Sequence, residues 1–514
     1  MVFRNRTARV FLVVVLLILV SPQLHAQKDQ EARIRRIEAV IIDVPKSESG
    51  PAKQLDLQKS MQLFKVPGLS IAVIDNFQII WAKAYGVIEA GSSTPVTTKT
   101  LFQAASISKP VVATGALSLI EQGKLSLDED VNLKLRSWKV PENEFTKNEK
   151  VTLRRLLSHS AGLTVHGFTG YDVNDPVPTL MKILDGEKPA STAPVRVDFV
   201  PGARMRYSGG GTTIEQQLMV DVTGKPFPAL MREIVLDRIG MKNSSFEQPL
   251  PPTLAAMAAS GTYGDGKVVH GKWHIYPEMA AAGLWTTPTD LARFAIEIAL
   301  SRQGKSNRVL SEKMTQEMLT PVLDEVGLGF FLDKDNPGQF GHTGGNEGFQ
   351  GLLTMNFESG KGIAIMANSE NGIAVGTLLL RRVAKEYGWN YKSPEDVVFE
   401  TLVLTEKLNG VQAALQQYAE FKKSGSAEHK VEEGTLNRFG QLLLYSHETQ
   451  DAIAVFQRNV QEYPDSANVY ESLGEAYMQA GAKDLAIQNF EKSLQLNSKN
   501  QTAIDILKKL KAGR

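Results

Sequence analysis

The order of apolar and polar positions divides the chain into three regimes. Residues around 31 to 65 carry a helical pattern. In Leu69-Ser-Ile-Ala-Val-Ile-Asp75 the apolar residues are nearly continuous and partly β-branched. The polar turn Asn76-Phe77 interrupts them and Ile79 to Val87 resumes, which predicts a β-hairpin. Helical periodicity then dominates a long stretch. Strands are predicted again near Gly327 to Leu332, Gly351 to Phe357 and Gly362 to Asn368. Glu358-Ser359-Gly360-Lys361 joins the last two, and so short a connection requires them to be antiparallel. A helix from about Ile373 to Tyr387 closes this part. Strand groups separated by a helical insertion predict an α+β domain, with one antiparallel sheet, helices against it and a mostly helical lobe.

From about Ser393 the strand signals vanish and a 34-residue repeat takes over: Gly440 recurs as Gly474, Ala452 as Ala486 and Phe456 as Phe490. Tyr470, Leu473, Gly474, Tyr477, Ala486 and Phe490 stand at the spacings of a tetratricopeptide helix pair, which this segment resembles. Small residues let paired helices approach, and the aromatic fills the gap. Pro464 fits a helix stop between units. Two units are expected, about 433–466 and 467–500, and residues 398 to 432 leave room for a degenerate third. The alternative is a generic helical tail packed on the preceding domain.

The N-terminus differs from both. Arg4, Arg6 and Arg9 precede the apolar run Val10 to Val20, and Leu24-His25-Ala26 ends in a small residue suited to cleavage. The run falls short of the roughly 20 residues that span a bilayer, so residues 1–26 are read as a signal peptide, with a retained anchor as the alternative. The expected organisation is therefore 1–26 signal, 27–392 α+β domain and 393–514 helical tail, in a secreted or periplasmic protein with no stable membrane span after cleavage. The chain contains no cysteine, which excludes thiol catalysis, disulfides and thiolate metal sites. Its formal net charge of +1, spread along 514 residues, gives no electrostatic case for a nucleic-acid partner.

The candidate chemistry begins at Ser106-Ile107-Ser108-Lys109. Pro110 suits a first helical turn, and Val111, Val112, Leu117 and Ile120 continue an apolar helical pattern to Gly123. A spacing of three places Ser106 and Lys109 on one face, at the positive end of the helix dipole. A serine hydroxyl is a poor nucleophile until a neighbouring base takes its proton. Lysine serves as that base only where its pKa falls from about 10.4 toward roughly 7–8. The bland reading is a helix cap beside a solvated lysine. Two further segments bear on the choice: Arg206-Tyr207-Ser208-Gly209-Gly210-Gly211, a glycine-rich turn with one tyrosine, and Phe340-Gly341-His342-Thr343-Gly344-Gly345-Asn346, ahead of the strand at Gly351.

In this order, Ser-x-x-Lys, Tyr-Ser-x and His-Thr-Gly resemble the serine β-lactamase-related superfamily, which includes class C β-lactamases, D-alanyl-D-alanine carboxypeptidases, D-aminopeptidases and esterases. Leu156 to Leu163 and Ala282 to Leu291 look like its framework stretches, and the likeness covers roughly residues 60 to 390. It implies a β-lactamase/transpeptidase-like fold and acylation of Ser106. Lys109 and Tyr207 would share the proton, Tyr207 being the base for deacylation. The backbone N–H groups of Ser106 and Gly345 would form the oxyanion hole. His342, Thr343 and Gly344 would line the substrate wall. No cofactor or metal is implied, and the expected partner is a small-molecule or peptide substrate.

Two departures shift the expected substrate. Gly209 stands where class C enzymes carry Asn, and His342 replaces a lysine that would bind a carboxylate. Both weaken the case for β-lactam hydrolysis and fit an esterase, amidase or D-amino-acid peptidase better. Peptidoglycan D,D-peptidase and small-ester hydrolase both stay open, with a β-lactamase or penicillin-binding protein acting on cell-wall peptides as the alternative. A weakly catalytic scaffold whose tail binds a protein is the remaining alternative. His159 and His166 are expected to pack at a helix end. His270 and His274 belong to a loop in which Gly271 argues against helical metal-ligand spacing, and Thr287-Pro288-Thr289-Asp290 reads as a structural N-cap.

Overall fold

The computed structural model describes residues 27–44, 53–389, 397–425 and 431–512. The expected signal segment, 1–26, lies outside them. Helix does not run unbroken through 31–65. A helix over 27–39 is followed by Ile42–Val44, paired antiparallel with Lys53–Leu55. Helix returns only at Leu57–Leu63, where the Asp56 side chain accepts from Lys59 N at 2.7 Å. The β-branched run before Pro45, and Gly50-Pro51 beyond it, oppose helix where the break occurs.

The central sheet has six strands, β1 (Gly68–Asp75), β2 (Gln78–Gly86), β3 (Phe331–Leu332), β4 (Gln339–Asn346), β5 (Phe349–Asn356) and β6 (Lys361–Ala367), in the order β2-β1-β6-β5-β4-β3. Every pairing is antiparallel. Both faces are covered, as the near-continuous apolar runs of β1 and β6 require. Ala72, Ile74, Ala364, Met366, Leu353 and Met355 face the helical lobe. Leu69, Ile71, Val73, Ile363 and Ile365 face the other way. The expected strand over 327–332 shrinks to two residues, whereas the glycine-rich segment ahead of β5 is itself the strand β4.

Four helices frame the cleft and its surroundings: α1 (Ser108–Glu121), α2 (Gly209–Thr223), α3 (Pro288–Arg302) and α4 (Gly372–Glu386). The stripe expected on α1 is wider than a stripe, because Ser108 to Leu119 are all buried and the helix runs through the lobe's interior. It ends at Gln122, with Gly123 left-handed at φ 71°. The expected turn at Gly209 to Gly211 is the first turn of α2, capped by Ser208 Oγ accepting from Gly211 N at 3.0 Å. Thr287 caps α3 through the Asp290 N–H at 3.2 Å, as its sequence requires.

The tail is all helix: α5 (Val397–Asn409), α6 (Val411–Ser424), α7 (Glu433–Tyr445), α8 (Thr449–Glu462), α9 (Ala467–Gln479), α10 (Lys483–Leu496) and α11 (Gln501–Ala512). The same small-against-aromatic contact appears twice, 34 residues apart. A Cβ on Gly440 would come within 2.5 Å of the Phe456 ring, and one on Gly474 within 3.1 Å of Phe490. The tail also packs on the catalytic part. Leu402, Tyr418, Phe439 and Phe456 share one buried cluster with α4 and the outer sheet face. No helix among the described residues is long and apolar enough to cross a membrane.

Candidate active site

Ser106 lies in a 3-10 turn, Ala105–Ile107, that leads directly into α1. Ala105 before it is left-handed, with φ 48°, a strained conformation for a residue with a side chain. Two glycines make room for this turn. A Cβ on Gly344 of β4 would lie 2.1 Å from the Ala104 carbonyl oxygen and 3.1 Å from Ser106 N. Gly351, its partner across β5, would meet Ile107 at 3.0 Å. The turn therefore rests in a trough that side chains would fill. Gly344→Ala should displace turn or strand and lower kcat/KM for a small ester by about 10²-fold, the usual cost of an ångström of misplacement. Steady-state assay with a thermal melt checks this; an unchanged rate would mean that β4 does not fix the turn.

Lys109 Nζ is 2.9 Å from Ser106 Oγ and 2.8 Å from the Ala281 carbonyl oxygen. Burial pushes its pKa down to about 7, against an opposing pull from Glu215. Ala281 belongs to the short helix Met279–Ala282, which Gln216 of α2 ties in place. Gln216 Nε2 donates to Pro277 O at 3.1 Å, and its Oε1 accepts from Ala280 N at 2.8 Å.

Tyr207, immediately before the α2 cap, closes the group. Its phenol is hydrogen-bonded to Ser106, and burial holds it above its ordinary range. Lys109 Nζ lies 4.9 Å from the centre of its ring. His159, His166, His342 and Phe331 surround that ring at centroid distances of 4.3, 5.0, 6.1 and 6.2 Å. His159 and His166, expected only to pack at a helix end, thus border the tyrosine. The Ser208 N–H donates to His159 Nδ1 at 3.2 Å. Burial and then the Lys109 charge keep both imidazoles below their ordinary pKa, so both are neutral near pH 7.

Along β4, His342, Gly344 and Asn346 are buried and Thr343 and Gly345 exposed, the period-two alternation of a strand. His342 Nδ1 contacts the Thr343 carbonyl oxygen, while its Nε2 is buried without a partner among the described residues. Burial, reinforced by the Lys109 charge, pushes its pKa down to about 3. Asn346 Nδ2 donates to Gln103 Oε1 at 2.8 Å and to Ala282 O at 3.1 Å, locking the end of β4 to the short helix Met279–Ala282 that also holds Lys109.

Sequence reasoning missed two buried carboxyls. Burial pushes Glu215 up to about 8, against the pull of Lys109, and pushes Glu278 up to about 8. A charged residue inside the buried stretch Thr213 to Met219 was the available signal for Glu215. Two clusters among the described residues bring three potential metal ligands within 4.8 Å: Glu347, Glu370 and His447, and Glu406, Glu448 and Asp451. Neither includes a residue of the Ser106 group. His270 and His274 are engaged with Asp172 and the Thr169 carbonyl, each through Nδ1.

Comparison with known proteins identifies the family and the fold. A family model described as Beta-lactamase matches residues 57–387. A beta-lactamase of Pseudomonas fluorescens is 29% identical over 237 residues, covering 46% of this chain and 60% of that protein, so the chain spans less than two thirds of that relative. Penicillin-binding protein 4 of Amycolatopsis lactamdurans is 26% identical over 338 residues, 62% of this chain and 86% of the relative. Among solved structures, the octameric penicillin-binding protein homologue from Pyrococcus abyssi superposes with a TM-score of 0.56 at 23% identity. The match covers 68% of this chain and 80% of that one, a likeness of fold.

Proposed function

Because the chain belongs to the Beta-lactamase family of serine hydrolases, we propose that it hydrolyses an ester or amide through a covalent acyl intermediate on Ser106. The observation that carries this reading is the 2.9 Å contact between Ser106 Oγ and a lysine whose pKa lies near 7. Neutral Lys109 accepts the Ser106 proton as Oγ attacks the carbonyl carbon. The oxyanion is held by the N–H groups of Ser106 and Gly345, each such donor being worth about 10²–10³ in rate. Lys109 then returns the proton to the departing alcohol or amine, and water repeats the sequence on the acyl-serine. The phenol of Tyr207, held above its ordinary pKa, stays protonated near pH 7. This favours Lys109 as base in both halves, with Tyr207 passing or steadying the proton. His342, Thr343 and Gly344 line the wall that the substrate meets.

The neutral His342 wall and the missing side chain at Gly209 favour esterase, amidase or D-amino-acid peptidase action over hydrolysis of β-lactams. The proposed setting is secreted or periplasmic, with residues 27–392 catalytic. Residues 393–514 would form tetratricopeptide-like helix pairs, open to a protein partner. A fluorophosphonate probe tests the central claim: mass spectrometry should find one adduct, on the peptide containing Ser106. No adduct, or one on another serine, would sink it.

A further inference from the structure

The buried imidazole of His342 carries an atom that no group among the described residues satisfies. Nδ1 faces the Thr343 carbonyl oxygen, which can only accept, so Nδ1 bears the ring's proton. A neutral imidazole has one N–H, and Nε2 is therefore a bare lone pair. It is buried without a partner, on a residue only 6% exposed, against Tyr207 and Phe331. A buried acceptor left unmet is costly, so the site favours an incoming donor. A lysine at this position would present three donors and a positive charge. Histidine in this tautomer inverts that chemistry.

The neighbouring groups do not restore a cation. Lys109 Nζ is committed to Ser106 and Ala281, and the Arg206 guanidinium lies on Asp198 and on the carbonyls of Gly162 and Leu163. Nor does the Gly209 position offer an amide. A Cβ there would meet the Phe168 ring and the His166 carbonyl, each at 3.1 Å, so an aromatic edge occupies the space. A carboxylate entering beside His342 would face the Nε2 lone pair and the rings of Tyr207 and Phe331.

We infer that His342 selects the substrate by accepting a hydrogen bond from its distal end. The enzyme then takes uncharged esters and amides that carry an N–H or O–H donor there, and turns away those ending in a free carboxylate. The inference rests on acylation at Ser106, and it adds the chemistry of the group held across the cleft from that serine. A C-terminally amidated or otherwise blocked peptide has the required character; its free acid does not.

The test uses the full chain and two competitors that differ at one end, N-acetyl-D-alanyl-D-alanine and its C-terminal carboxamide. Each is titrated for protection of Ser106 against the fluorophosphonate probe, so binding is read without requiring turnover. The carboxamide should protect at a concentration about tenfold or more below the free acid, the size of one well-made polar contact. His342→Lys should reverse the order. His342→Gln, whose amide both donates and accepts, should shrink the preference to about threefold or less, which keeps the test decisive if the lysine variant does not fold. Equal or better protection by the acid, protection by neither, or an unchanged preference in the variants overturns the inference. Loss of all probe labelling in the unaltered chain would be a separate result, the failure of Ser106 as nucleophile.

Discussion

Ser106→Ala should abolish covalent labelling and reduce turnover of a small ester by roughly 10⁴-fold or more, the scale seen when a nucleophile is deleted from a preorganised site. What remains would come from oxyanion stabilisation and binding alone. The variant should keep its fold. Ser106 is only half-buried, and the turn is held by backbone bonds and by the neighbouring Ser108, whose Oγ accepts from Leu284 N at 3.0 Å. The hydrogen bonds that Ser106 makes with Lys109 and Tyr207 are lost, a change of about 1–3 kcal/mol. A melting temperature close to that of the parent, together with a vanished adduct in the intact-mass spectrum, is the expected pair of readings. Turnover within tenfold of the parent would assign the chemistry to another residue.

The parts of this molecule that were legible in its sequence are those where local pattern and tertiary role coincide. The hairpin of β1 and β2 reads directly, because strands buried on one or both faces must be apolar at every or every second position. Strand β4 does not. Gly341, Gly344 and Gly345 leave it with poor strand propensity, and it is extended because β5 pairs with it from Gln339 to Asn346. Its glycines answer to the Ser106 turn beneath, a contact between residues far apart in the chain. The ordered motifs identified Ser106, Lys109, Tyr207 and His342, and the fold brings all four together. His159 and His166 stayed opaque for a different reason. A ring tilted against Tyr207 and a ring at a helix end look the same in one dimension. The helical tail was legible as helix from its 34-residue spacing, yet nothing in its periodicity told that it would share a buried cluster with the outer face of the sheet.

Lys109→Met should lower kcat/KM for the same ester by about 10³-fold, within the 10²–10⁴ range of a lost general base. It should also change the pH profile in a way that simple damage would not. In the parent, burial brings the Lys109 pKa to about 7. Activity should then rise about tenfold per pH unit below 7 and level off above it, as the neutral amine accumulates. The methionine variant should lose that limb. Its stability should move in the opposite sense to its activity. Between about pH 7 and 10.5 the unfolded chain binds a proton on Lys109 that the native state does not. Stability of the parent therefore rises with pH across that window and stays at its lower level beneath it. An apolar side chain of similar length removes this dependence and the cost of a buried charge. Lys109→Met should thus melt at the same or a higher temperature near neutral pH while being nearly inactive. A variant that is both less stable and still pH-dependent with a midpoint near 7 would show that another group takes the proton from Ser106.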